Sequence, residues 1–160
     1  MCGLHNQGGD WLMANETCGV VNAQWPTLLC IDDDPLIPEV IGLRLNQYEV
    51  NVLSAFHGMH GFWLAMTDRP DLIITDMRMP QGAGDYVVDC LRHNSDTRDI
   101  PVIVLTGQRD AQIESRMRHL GVDEFFTKPV QFETLRDAIF KYLPLKERDW
   151  GEVGSVAGVS

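Results

Sequence analysis

Five short runs rich in β-forming apolar residues, each followed by a stretch with helical spacing, limit most strongly what this chain can fold into. The runs are TLLCI (27–31), EVNVLSA (49–55), DLIITD (71–76), PVIVLT (101–106) and DEFFTK (123–128). Several are apolar almost throughout, as in strands covered on both faces, instead of alternating with polar residues. Helical patterns follow at 38–47, 58–68, 84–94, 110–120 and 131–143. The fourth carries Ile113, Met117 and Leu120 on one face, and the fifth carries Leu135, Ile139 and Tyr142. Gly121 directly follows Leu120, where a helix-ending glycine belongs. Alternation repeated in this way predicts an α/β fold: a doubly wound, five-stranded parallel sheet in a three-layer sandwich, its crossovers right-handed. Ligands of such sheets bind beyond the carboxyl ends of the strands, so the fold also predicts where a site must lie.

The chain of 160 residues suits one domain, expected over 27–143, with an N-terminal extension at 1–26 and a C-terminal tail at 144–160. The tail ends in GSVAGVS and reads as mobile. A formal charge of -10 opposes direct binding to nucleic acid or to an anionic membrane, since both need clustered Lys and Arg. No apolar run approaches the roughly 20 residues of a membrane span. The first residues lack the basic start and long apolar stretch of an export signal, so a cytoplasmic location is expected. Cys2, Cys18, Cys30 and Cys90 form no C-x-x-C pair, and Cys30 and Cys90 are expected as reduced core thiols.

Chemistry gathers at the strand ends. The first run stops at Asp32, Asp33 and Asp34, the third at Asp76, the fourth at Thr106, and the fifth at Lys128 followed by Pro129. Crowded carboxylates repel one another unless a cation sits among them. Clustered carboxylates suit Mg2+, which takes one or two of them together with waters and phosphate oxygens. A lysine and a hydroxyl nearby suit phosphoryl oxygens, and a carboxylate is a nucleophile able to form an aspartyl phosphate.

LLCIDDDP, DLIITDMRMPQGAG, PVIVLTG and DEFFTKPV, in this order and spacing, resemble the receiver domains of two-component response regulators over about 27–143. The resemblance implies the CheY-like, flavodoxin-like strand order 2-1-3-4-5. It implies that Asp76 accepts a phosphoryl group from a phosphohistidine on a histidine kinase or phosphotransfer protein. Asp32 and Asp33 would hold Mg2+ with Asp76 and the backbone carbonyl of Arg78. Thr106 would hydrogen-bond the phosphoryl group and Lys128 would pair with it, aimed by a cis Lys128–Pro129 peptide. It further implies a switch, in which Thr106 and Phe125 move together on phosphorylation. Phe125 lacks a hydroxyl, so it can pack but cannot hydrogen-bond. The resemblance also implies that Arg78 and Gln108 stand where side chains influence how fast water removes the phosphoryl group. Output is expected through a downstream protein target at the face of the fourth helix, fifth strand and fifth helix, with homodimerisation on phosphorylation as a further possibility.

A rival reading is an enzyme, a haloacid dehalogenase-type phosphatase with Asp32 as nucleophile and Asp34 as acid/base. It requires an acidic pair after a strand beyond the lysine, and the last helix offers only Glu133 and Asp137. Three local expectations complete the reading. The first helix should begin near Pro38, because proline is tolerated only in the first turn. Gln131 is a weak cap for the last helix. In HGMHGFWLAM, Phe62 and Leu64 should face inward and Met59 and Trp63 outward, with Trp11 and Leu12 covering Trp63. His57 and His60 read as solvated surface, not as a metal pair.

Overall fold

Each apolar run forms a parallel strand, and each intervening pattern forms a helix. The computed structural model describes residues 22–79, 84–108 and 110–149. Its elements are β1 (Thr27–Ile31), α1 (Leu36–Leu45), β2 (Asn51–Ala55), α2 (Gly58–Asp68), β3 (Leu72–Thr75), α3 (Gly84–His93), β4 (Val102–Thr106), α4 (Ala111–His119), β5 (Glu124–Thr127) and α5 (Phe132–Tyr142). The sheet order is β2-β1-β3-β4-β5, and every neighbouring pair is parallel.

Successive side chains of a strand point to opposite faces, so a strand buried on both must be apolar at every position. Leu28 and Cys30 enter a core with Ile41 and Leu45 of α1 and Leu135 and Ile139 of α5. Leu29 and Ile31 enter the other core with Ala65 of α2, Val88 and Leu91 of α3, and Met117 of α4. Burial pushes the Cys30 thiol up to about 12, leaving it inert, whereas Cys90 is half-buried on α3 instead of in the core. The edge strand β5 is half-buried along its length.

α1 begins at Leu36, two residues before the expected start. The side chain of Asp34 accepts the Leu36 N–H at 3.0 Å, so the turn is nucleated ahead of Pro38. Pro38 then lies in the first turn, where no intrahelical partner exists for an N–H. α4 ends as Gly121 suggested: its φ of 87° lets its N–H reach the Arg118 carbonyl and the Val122 N–H reach the Met117 carbonyl. Gln131 makes no side-chain cap.

Residues 144–149 depart from the mobile tail that was expected. Tyr48 and Glu147 form an antiparallel bridge, the Glu49 N–H donates to the Lys146 carbonyl at 2.7 Å, and the Arg148 N–H donates to the Gln47 carbonyl at 2.7 Å. Arg148 also stacks over the Trp25 ring at 4.4 Å. Trp25 belongs to a short segment held by Asn51, whose amide donates to the carbonyls of Asn22 and Trp25.

Two helical glycines make opposite demands. Nothing lies within 4 Å of a Cβ placed at Gly42, whereas one at Gly61 would sit 2.7 Å from Ile31 Cγ1. Gly42→Ala should therefore stabilise the chain by about 0.5–1 kcal/mol through backbone entropy. Gly61→Ala should destabilise it by roughly 1–3 kcal/mol through overpacking. Urea unfolding midpoints at constant slope check both signs.

Candidate phosphoryl and metal site

The strand order reverses between β1 and β3, and the crevice this opens at their carboxyl ends is where the fold collects ligands. The sheet hydrogen bonding runs one residue past each strand there. The Asp32 N–H donates to the Ala55 carbonyl at 3.0 Å and the Asp76 N–H to the Ile31 carbonyl at 2.9 Å. These bonds fix both aspartate backbones at the rim. Asp32 and Asp76 are buried, at 2% and 7% exposure, while Asp33 is exposed. One carboxylate oxygen from each of Asp32, Asp33 and Asp76 lies within 4.8 Å of the others.

Asp34 points elsewhere: its carboxylate accepts the Leu36 N–H in the turn that leads into α1, so only two of the three consecutive aspartates join Asp76. The Asp76 carboxylate is held by its own loop. Its Oδ1 accepts the N–H groups of Met77 at 2.6 Å and Arg78 at 3.3 Å. That loop packs so closely on the start of α3 that a Cβ at Gly84 would lie 2.6 Å from Met77 Cα and clash with the Asp76 carbonyl. The sequence carried a signal for this, a glycine just after a loop, but not its cause.

Lys128, delivered by β5 through a cis bond to Pro129, donates from Nζ to Asp32 Oδ2 at 2.6 Å and to Asp76 Oδ2 at 3.4 Å. Burial raises the Asp32 pKa, and the hydrogen bond from Lys128 only partly opposes it. For Lys128, burial lowers the ammonium pKa, but the hydrogen bond to Asp32 and the charges of Asp32 and Asp76 outweigh it and leave it raised. One ammonium thus faces three carboxylates. The excess of hard oxygen donors fits a divalent cation such as Mg2+, held by Asp32, Asp33 and Asp76.

Thr106 is fully buried at the end of β4, and its Oγ1 accepts the Gln108 N–H at 3.2 Å. Phe125 is half-buried and packs on the core that α2, α3 and α4 share. Arg78 is exposed in the loop after Asp76. Glu133 and Asp137 are both exposed on α5, and Asp137 pairs with Arg136 at 2.9 Å. They do not supply the acidic pair that a dehalogenase-type phosphatase requires.

One feature of the rim was not read from the sequence. α1 is apolar nearly all round: beyond its buried Ile41 and Leu45 it exposes Leu36, Val40 and Leu43 at 61%, 49% and 62%. Their spacing was legible as a second apolar stripe.

Comparison with known proteins agrees with this geometry. The family model for the response regulator receiver domain matches residues 28–140. The chain is 36% identical over 110 residues to the DNA-binding dual master transcriptional regulator RpaA of Synechocystis, covering 69% of this chain and 46% of that protein. It is 28% identical over 119 residues to sporulation initiation phosphotransferase F of Bacillus subtilis, covering 74% and 94% respectively. Several curated relatives are far longer, with 46%, 8% and 51% of their lengths spanned. Among solved structures, Vibrio cholerae CheY4 superposes with a TM-score of 0.69 at 25% identity, over 74% of this chain and 99% of that one. The receiver domain of sensor histidine kinase PA1611 from Pseudomonas aeruginosa shares the fold at 22% identity, with a TM-score of 0.66 over 74% and 97% of the two chains. That structure has a magnesium ion coordinated in its active-site cleft.

Charge crowding makes a measurable prediction. Asp32→Asn should stabilise the metal-free chain by on the order of 1 kcal/mol, because it removes a buried charge while Lys128 keeps Asp76. The unsubstituted chain should gain about 2.7 kcal/mol at a hundredfold excess of Mg2+ over its Kd, and the variant should gain far less. Thermal unfolding with and without Mg2+ measures both.

Proposed function

This chain belongs to the response regulator receiver family, a phosphorylation-dependent signalling domain and not a classical enzyme, and from that premise we propose that Asp76 is its phosphoacceptor. The observation that carries the proposal is the meeting of Asp32, Asp33 and Asp76 within 4.8 Å, with Lys128 Nζ bridging two of them. In the reaction, an Asp76 carboxylate oxygen attacks the phosphorus of a phosphohistidine. The N–P bond breaks as the O–P bond forms, and the imidazole leaves with the nitrogen electron pair. In this reading Lys128 pairs with a phosphoryl oxygen and the Thr106 hydroxyl donates to another. The Met77 and Arg78 N–H groups fix one Asp76 oxygen, which leaves the carboxylate oriented before the donor arrives. Asp32, Asp33 and Asp76, with the Arg78 carbonyl, would hold Mg2+, which would supply neutralising charge for the incoming group.

Receiver domains work with histidine kinases or phosphotransfer proteins, and for this chain such a protein is the proposed donor, in the cytoplasm. No helix among the described residues is long and apolar enough to cross a membrane. The exposed Leu36, Val40 and Leu43 start at the rim of the site, so the donor can bury them while its histidine faces Asp76. Phosphorylation then shifts Thr106 and Phe125 between two arrangements, and the face of α4, β5 and α5 reads the change through a downstream protein or a second copy. Water slowly removes the phosphoryl group at a rate set by Arg78 and Gln108. The switch resides in 27–143, flanked by an extension at 1–26 and a tail at 144–160.

Incubation with acetyl phosphate and Mg2+ should add one phosphoryl group, located at Asp76 by mass spectrometry, and Asp76→Asn should abolish it. Addition elsewhere, or persistence in Asp76→Asn, sinks the assignment. Leu43→Glu should leave the acetyl phosphate reaction intact yet slow transfer from a phosphohistidine protein at least about tenfold, roughly 1.4 kcal/mol.

A further inference from the structure

Helix α2 carries an apolar outer face with no contribution to either core. Met59 and Trp63, one turn apart, are each 55% exposed, and Phe56 just before the helix is 39% exposed. His60 stacks on Trp63 with ring centroids 6.4 Å apart, and His57 meets His60 edge-on at 5.5 Å. His57, His60 and Trp63 thus form a run of touching rings, with Met59 one turn before Trp63 and exposed Phe56 just ahead of the helix, a strip that is more than scattered exposure produces. Gly61, opposite it, is what lets α2 sit down on Ile31, so the strip cannot turn inward without losing that packing.

We propose that this strip is the seat of the chain's own N-terminal segment, with Trp11, Leu12 and Met13 laid across Met59 and Trp63. The described chain begins at Asn22, whose N–H donates to the Asn51 side chain at 3.0 Å and whose carbonyl accepts from the Asn51 amide at 2.8 Å. Asn51 is the first residue of β2, and α2 packs against β1 and β2. The segment 1–21 is therefore tethered at the amino-terminal end of the strands that α2 covers. α2 runs antiparallel to those strands, so its last residue, Asp68, lies toward that same end, and Trp63 is about 7.5 Å further along the axis. Ten residues separate Trp11 from Asn22 and reach about 35 Å when extended, ample for the path.

Tethering decides which occupant wins. A short flexible linker presents its end at an effective concentration in the millimolar range, well above that of a second copy in dilute solution. Within MCGLHNQGGDWLMANETCGVV, Trp11, Leu12 and Met13 are three consecutive large apolar residues amid mostly small and polar ones. A tryptophan against Met59 and Trp63 gains area burial, ring contact and sulfur–aromatic contact together. The docking is independent of the phosphoryl chemistry, although Phe56 directly follows Ala55, which pairs with the Asp32 N–H.

The test uses the full chain labelled with 5-fluorotryptophan, its four tryptophan resonances assigned by single replacement to Phe. In a full-length chain bearing Trp11→Ala with Leu12→Ala, the Trp63 line should move. Its broadening by a soluble gadolinium reagent should rise about twofold as a packed ring becomes half-exposed. The Trp25 line should stay put, since Arg148 holds that ring. Reciprocally, Met59→Glu should raise the gadolinium broadening of Trp11, and both effects should be independent of protein concentration. A Trp63 line equally broad in the unsubstituted chain and the double variant overturns the proposal, whether the strip is bare or awaits another protein. A response that vanishes on dilution also overturns it and points to a second copy.

Discussion

Repulsion among three carboxylates at the rim of the sheet, opposed by a single ammonium, is the interaction on which the rest of this molecule turns. Asp32 and Asp76 are almost fully buried, and Asp33 is exposed beside them. Such a cluster raises the energy of the folded chain unless a cation joins it, and Lys128 balances only part of the charge. The imbalance of charge fits the cluster to a divalent cation. Stability is given up locally where the chemistry needs it, and two tightly packed cores make that tolerable.

The sheet creates this crowding through its topology. β1 is hydrogen-bonded to both β2 and β3, and its carboxyl end is the point where crossovers depart to opposite faces. The carbonyls of Ile31 and Ala55, the last residues of β1 and β2, hold the Asp76 and Asp32 backbones, which lie one step beyond the regular pairing. Gly84 then permits the Asp76 loop to close against α3. Glycine here meets a need for space, so a larger residue would push the Asp76 loop itself.

Around that rim the two outer layers differ from an ordinary domain surface. α1 and α2, on opposite faces of the sheet, both expose large apolar side chains, and both begin close to the site. The strip on α1 starts just past the triple aspartate, while the strip on α2 occupies the half of that helix nearer the carboxyl ends of the strands, with Asn22 meeting Asn51 at the opposite end. At the far end of the sheet, Arg148 over Trp25 and the Tyr48–Glu147 bridge join residues from both ends of the domain. Tyr48 also meets Phe140 edge-on at 5.1 Å, which couples this strap to α5.

The sequence by itself determined the strand–helix alternation, the two-sided burial of the strands, the glycine that ends α4, and the outward turn of Met59 and Trp63. Each depends on spacing along the chain, because side-chain periods of two and 3.6 residues are local consequences of backbone geometry. It also located Asp32, Asp33, Asp76, Thr106 and Lys128 at strand ends, although their roles came from resemblance and not from spacing. Only the tertiary structure decided that Asp34 turns to the Leu36 N–H while its two neighbours face Asp76, that Gly84 clears the Asp76 loop, and that 144–149 fold back onto 47–49. These outcomes depend on contacts between residues far apart in the chain, or on which way one carboxylate turns among near-equal choices. No period in the sequence encodes either.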